Sequence, residues 1–202
     1  MSIIIGLTGQ TGAGKGTVAR ILCDKGMSLI DCDKVSREVV EKGSETLLKL
    51  TDAFSDQILN ADGTLNRGVL AQRAFVDPQT VRLLNSITHP AIIERIKEKV
   101  LQFSESGAKY IVVDAPTLIE SGAADMCDVI VAVVADEDIR LERIVNRDGI
   151  DITSAKRRMS VQPKVDFYTD NADYTIYNNG DLELLSQQSG IVCDDILRNF
   201  TE

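Results

Sequence analysis

The stretch that decides the fold is Ile3-Ile4-Ile5-Gly6-Leu7-Thr8-Gly9-Gln10-Thr11-Gly12-Ala13-Gly14-Lys15-Gly16-Thr17. Ile3–Leu7 is an uninterrupted, mostly β-branched apolar run, as a strand buried on both faces requires. Thr8–Gly14 is a glycine-rich turn, and from Lys15 to Lys25 the apolar residues Val18, Ile21 and Leu22 recur at helical spacing. Strand, glycine turn, lysine and helix in this order make a phosphate-binding loop. Glycines let backbone N–H groups turn inward around phosphate oxygens, and the helix N-terminus adds partial positive charge. Lys15 can reach the β- and γ-phosphates of a nucleotide. Gly16 stands where the usual pattern has a Mg²⁺-binding Ser or Thr, and Thr17 follows it, so coordination of the metal through water is expected.

Working outward, Met27–Ile30 reads as a second strand ending at Asp31, with Tyr110–Val113, Val129–Val134 and Tyr174–Tyr177 as later strands. Helical patterns lie between them at Lys34–Glu41, Arg67–Phe75, Ala91–Phe103, Glu137–Arg147 and Leu182–Leu197. Strands alternating with helices imply right-handed crossovers and a mostly parallel sheet, an α/β fold. The mainly helical residues between Asp31 and Lys109 are too many for one crossover and are expected to form an inserted substrate-binding region.

Composition narrows the function. The chain has 202 residues, 44% hydrophobic and 26% charged, with 22 Lys plus Arg against 31 Asp plus Glu for a net charge of −9. That suits one soluble domain, and the acidic balance argues against general nucleic-acid binding. No apolar run approaches the roughly 20 residues of a membrane span. The start lacks a signal peptide's basic stretch and cleavage site, so a cytoplasmic location is expected. Cys23, Cys32, Cys127 and Cys193 form no CxxC pair, which disfavours structural zinc and points to reduced thiols. His89 is the single histidine, and before Pro90 a capping or structural role is its default reading.

Charge is uneven. Residues 139–164 carry Arg140, Arg143, Arg147, Lys156, Arg157, Arg158 and Lys164 against Glu142, Asp148 and Asp151. A basic island in an acidic protein suits a polyanion such as phosphate, and equally a solvated helix with paired arginines. At the second strand's end, period-two geometry puts Asp31 and Asp33 on the same side, at the carboxyl end of the sheet where open α/β folds bind ligands. Such carboxylates could take a hydroxyl proton or organise Mg²⁺ water, with Arg37 one helical turn on; alternatively one of them caps the next helix. There is no guanine-recognition NKxD motif and no ABC-type signature, which leaves a small kinase moving the γ-phosphoryl group to a small acceptor.

The Gly14-Lys15-Gly16-Thr17 variant resembles the loop of adenylate-kinase-like nucleotide kinases. Ile30-Asp31-Cys32-Asp33 through Val40 looks like the acceptor motif of the dephospho-CoA kinase family. The likeness continues through Ala61–Leu70, His89-Pro90, Asp114–Glu120 (with Thr117 in place of a usual leucine), Arg143–Asp148, Arg158–Gln162, and Ala172-Asp173 to Asn178-Asn179-Gly180. The resemblance implies a three-layer P-loop kinase fold with a central mostly parallel sheet, an inserted helical acceptor-binding region and a helical lid. It divides a single domain into a core (about 1–33, 109–138 and 172–202), an insertion (about 34–108) and a lid (about 139–171). It implies ATP as donor with Mg²⁺, the dephospho-CoA 3′-hydroxyl as acceptor, and no obligate protein partner. Thr11, Gly12, Ala13, Gly14, Lys15, Gly16, Thr17, Arg143, Asn178 and Asn179 would serve ATP. Asp33, Lys15 and Arg147 would be catalytic, and Asp31, Asp33, Arg37 and His89 would hold the acceptor. Thr17, Asp33 and Asp114 are the metal candidates. A nucleoside-monophosphate kinase and a non-catalytic nucleotide-binding module are the alternatives.

Overall fold

The computed structural model describes residues 2–200. The apolar runs form the expected strands: β1 (Ile3–Gly9), β2 (Ser28–Asp31), β3 (Tyr110–Asp114), β4 (Val129–Val134) and β5 (Tyr174–Tyr177). They lie in one sheet in the order β2-β3-β1-β4-β5. β1 pairs in parallel with β3, Ile5 opposite Val112, and with β4, Leu7 opposite Val131; β4 pairs in parallel with β5. The first strand in sequence is therefore the central one.

Period-two geometry sorts the side chains between two faces. Ile5, Leu7, Val131 and Val133 pack under α1 (Lys15–Asp24) and α9 (Leu182–Asn199), against Val18, Leu22, Leu185 and Ile196. The alternate residues Ala132 and Val134 turn to the other face, where α8 (Val165–Thr169) buries Tyr168 completely. Helices thus cover both faces of the sheet. Two further helices, α6 (Glu137–Asp148) and α7 (Ile152–Ser160), follow β4 and pack Ile144 on Ala155 and Met159.

The structure has two compact bodies: residues up to Ile30 with those from Phe103 onward, and Asp31–Gln102. The second is helical. It contains α2 (Cys32–Glu38), α3 (Glu45–Phe54), α4 (Arg67–Ala74) and most of α5 (Pro78–Glu105), around a core of Val40, Leu50, Phe54, Ile58 and Leu70. Two expected boundaries move. The helix expected over Lys34–Glu41 starts at Cys32, because the Asp31 carboxylate caps it there. The helix expected to begin at Ala91 begins at Pro78 instead, and α5 runs through His89-Pro90. A proline inside a helix removes one amide donor, but enough neighbouring bonds remain for the helix to continue. All four cysteines are thiols. Among the described residues no helix is long and apolar enough to cross a membrane.

Candidate active site

The phosphate loop is built by close backbone approach. At Gly9, φ is +146° and an added Cβ would lie 2.1 Å from the Val133 carbonyl oxygen, so only glycine lets β1 turn beside β4 here. Gly14 caps α1 at φ +98° with no side chain on the exposed amides, and no acid occupies the helix's first turn. The positive end of α1 is therefore left for an external anion. Lys15 Nζ meets the Asp114 carboxylate at the end of β3, with both side chains about 15% exposed. An added Cβ at Gly16 would meet nothing within 4 Å.

A second layer of contacts holds this loop. Asn178, 5% exposed just after β5, donates from Nδ2 to the Ala13 carbonyl at 2.7 Å. Arg143 of α6 donates to the Asn178 and Gly180 carbonyls at 3.0 and 3.4 Å. Asn179 Oδ1 accepts the Asp136 amide at 2.8 Å. Arg143, Asn178, Asn179 and the loop residues Thr11, Gly12, Ala13, Gly14, Lys15, Gly16 and Thr17 thus share one body, with Asn178 joining two of its parts. A Cβ at Gly14 would fall 2.2 Å from Asn178 Nδ2. Gly14→Ala is accordingly expected to combine backbone strain with loss of the Ala13 bond. Strain of about 1–3 kcal/mol corresponds to a melting temperature lower by roughly 2–12 °C, and ADP affinity should fall with it. Thermal melts and ADP titration check this; an unchanged mutant would contradict the packing described.

The basic island is not one exposed patch. Arg140 is 7% exposed and donates from Nε to the Ala135 carbonyl at 3.1 Å, a structural role. Arg147 forms a two-pronged pair with Asp148 at 2.7 and 2.9 Å, and Arg158 joins the same carboxylate. Hydrogen bonding from Arg147 is the main cause that holds the Asp148 pKa down to about 2. Lys156, Arg157 and Lys164 remain exposed. Gln162 lies past the end of α7, and its side chain reaches the phosphate loop, where Oε1 accepts the Thr11 amide at 2.9 Å. In the sequence Gln162 belongs only to the family-like segment Arg158–Gln162, and nothing local points to Thr11 as its partner.

In the second body, the extended geometry expected to align Asp31 and Asp33 ends at Asp31. Asp31 Oδ1 accepts the Asp33 and Lys34 amides at 3.0 and 3.2 Å, so this carboxylate caps α2. Asp33, in the first turn, and Arg37, in the last, leave their side chains exposed. His89 sits within α5, where burial lowers its pKa. Among the described residues no three His, Cys, Asp or Glu side chains gather as a metal cluster.

A parallel α/β sheet, a lysine-bearing phosphate loop and a helix N-terminus with no side-chain cap define a P-loop nucleotide-binding protein of the kinase type. The family described as dephospho-CoA kinase matches residues 3–183. The chain is 44% identical over 186 residues to the dephospho-CoA kinase of Corynebacterium jeikeium, covering 92% of this chain and 95% of that one. Its structure is similar to TT1252 from Thermus thermophilus, with TM-score 0.81, 26% identity, and 100% and 99% of the two chains covered. It shares its fold with a dephospho-CoA kinase from Campylobacter jejuni, with TM-score 0.73, 23% identity and all of both chains covered. The chain belongs to the dephospho-CoA kinase family, a family of phosphotransferases.

Proposed function

We propose that the protein transfers the γ-phosphoryl group of ATP to the ribose 3′-hydroxyl of dephospho-CoA, giving CoA and ADP in the last step of coenzyme A biosynthesis. The observation that carries this reading is the Lys15 phosphate loop at the open end of α1, within a chain that matches the family from residue 3 to 183. The amides of Gly12, Gly14, Lys15 and Gly16 take the donor phosphates, the Thr11, Ala13 and Thr17 amides hold the loop through Gln162, Gln10 and Gly14, and Lys15 exchanges Asp114 for the β- and γ-oxygens. Arg143, with Asn178 and Asn179, shapes the turn that receives the adenine edge. The acceptor is held by Arg37 and His89, with Asp31 fixing the first turn of α2. Asp33 accepts the proton of the 3′-hydroxyl as the new oxygen–phosphorus bond forms. The bond to the β,γ-bridging oxygen breaks, and its electron pair leaves on ADP. Arg147 moves from Asp148 to the transferring group, as part of a lid that closes over it.

Thr17 and Asp114, and Asp33 on the acceptor side, carry the oxygen donors that suit a hard cation such as Mg²⁺, and among the described residues no three His, Cys, Asp or Glu gather as a metal cluster, so the ion would be held largely through water. When bound, the ion would supply neutralisation of charge on the phosphoryl group being transferred. We place the reaction in the cytoplasm, on small molecules alone. ADP release should be stimulated by dephospho-CoA with kcat/KM at least about 100-fold above any nucleoside monophosphate, because a site matched to the acceptor's polar groups rejects partners lacking them. Comparable stimulation by AMP or CMP would favour the nucleoside-monophosphate kinase reading.

A further inference from the structure

Two side-chain hydrogen bonds cross between the phosphate loop and the segment after α7. Gln162 Oε1 accepts the Thr11 amide at 2.9 Å, and Gln10 Nε2 donates to the Pro163 carbonyl at 3.3 Å. The chemistry of the partners fixes both orientations: the Thr11 amide can only donate and the Pro163 carbonyl can only accept. Gln10 is 6% exposed, so its side chain is locked in place. Ending the helix does not require the Gln162 side chain, because the Val161 cap and the Gln162 backbone amide both bond to the Met159 carbonyl. α7 is otherwise held by an apolar patch around Ile144 and by the Arg158 bond to Asp148, and α6 ends before it at Gly149, in a left-handed turn at φ +64°. One end of the helix thus follows a glycine turn and the other is tied to the phosphate loop.

We propose that Gln162 is a positioning residue for nucleotide binding, whose Oε1 holds the Thr11 amide and so sets the phosphate loop in its binding conformation. It also pins the C-terminal end of α7, so that movement of the lid turns about a point fixed on the loop. This rests on the kinase reading. The loop must present several consecutive amides inward, and the Thr11 bond fixes the peptide plane from which the next amides are oriented.

The test is calorimetric titration of ADP into wild-type protein, Gln162→Met and Gln162→Glu, with melting curves and steady-state kinetics. Met keeps the length of the side chain and removes the acceptor; losing one such bond should weaken ADP binding by about fivefold to thirtyfold. Glu keeps an acceptor oxygen for the Thr11 amide, so without nucleotide it should melt closer to wild type than the Met variant does. KM for ATP should rise with kcat changed less, because the loop contacts persist from ground state to transition state, and KM for dephospho-CoA should hold. A purely structural role predicts a lower melting temperature with unchanged ADP affinity, and that result overturns the proposal. Wild-type protein that binds no ADP overturns the kinase reading, and this proposal with it; wild-type binding with an unaffected Met variant overturns this proposal alone.

Discussion

Lys15→Met is expected to reduce phosphoryl transfer by at least about 10³-fold, the scale on which a cation at the transferring group acts. The structure adds a complication. Lys15 pairs with Asp114, and both side chains are about 15% exposed, so the methionine variant also removes the Lys15 cation from beside that carboxylate. Removing one partner of a largely buried pair is destabilising, and lost activity could then be blamed on lost fold. The double variant Lys15→Met with Asp114→Asn separates the two effects. It should recover much of the melting temperature, because no uncompensated charge remains, and none of the activity, because the cation is still absent. Near-normal turnover in the folded double variant would rule out the role assigned to Lys15.

Asp33→Asn should lower kcat by roughly 10²–10⁴-fold, the usual range for removing a general base. A ribose hydroxyl is a weak nucleophile, and asparagine can hydrogen-bond to it but cannot take its proton. KM for dephospho-CoA should change much less, since the lost interaction belongs to the transition state. If Asp33 served chiefly as a metal ligand, added Mg²⁺ would partly rescue the variant. A helix-capping role would instead appear as a lower melting temperature with kcat unchanged. The structure assigns the cap to Asp31, whose carboxylate accepts both first-turn amides. The Asp33 variant should therefore melt like wild type. A stable variant with wild-type kcat, measured at two Mg²⁺ concentrations, would remove Asp33 from the mechanism.

Much of the fold was legible because its signals are local. Strands buried on both faces read as continuous Val and Ile runs, as β4 does, and the phosphate loop declares itself through glycine, lysine and the helix that follows. What was illegible depends on distant partners. Nothing near Asn178 in sequence shows that it donates to Ala13, 165 residues away. The same holds for Gln162 and Thr11, and for Arg140, which reads as one more surface cation and is buried against the Ala135 carbonyl. Asp31 and Asp33 were misaligned because period-two spacing was carried one residue past the strand's end, where the cap begins the helix. Pro90 misled for a related reason: its steric signal is strong and local, whereas the continuity of α5 depends on the turns to either side.

The central place of β1 also governs how the protein is made. Its partners β3 and β4 are encoded about a hundred residues and more downstream, so on a ribosome adding about 5–20 residues per second this strand waits on the order of ten seconds for either neighbour. Throughout that interval Ile3, Ile4, Ile5 and Leu7 form an unpaired sticky segment of the nascent chain, the kind of sequence that chaperones guard. Gly9 cannot settle beside Val133 before β4 has been translated. The nucleotide site, although its loop follows the first strand, is thus among the later features to take shape, and a chain stalled before β4 would have no finished pocket for ATP to rescue.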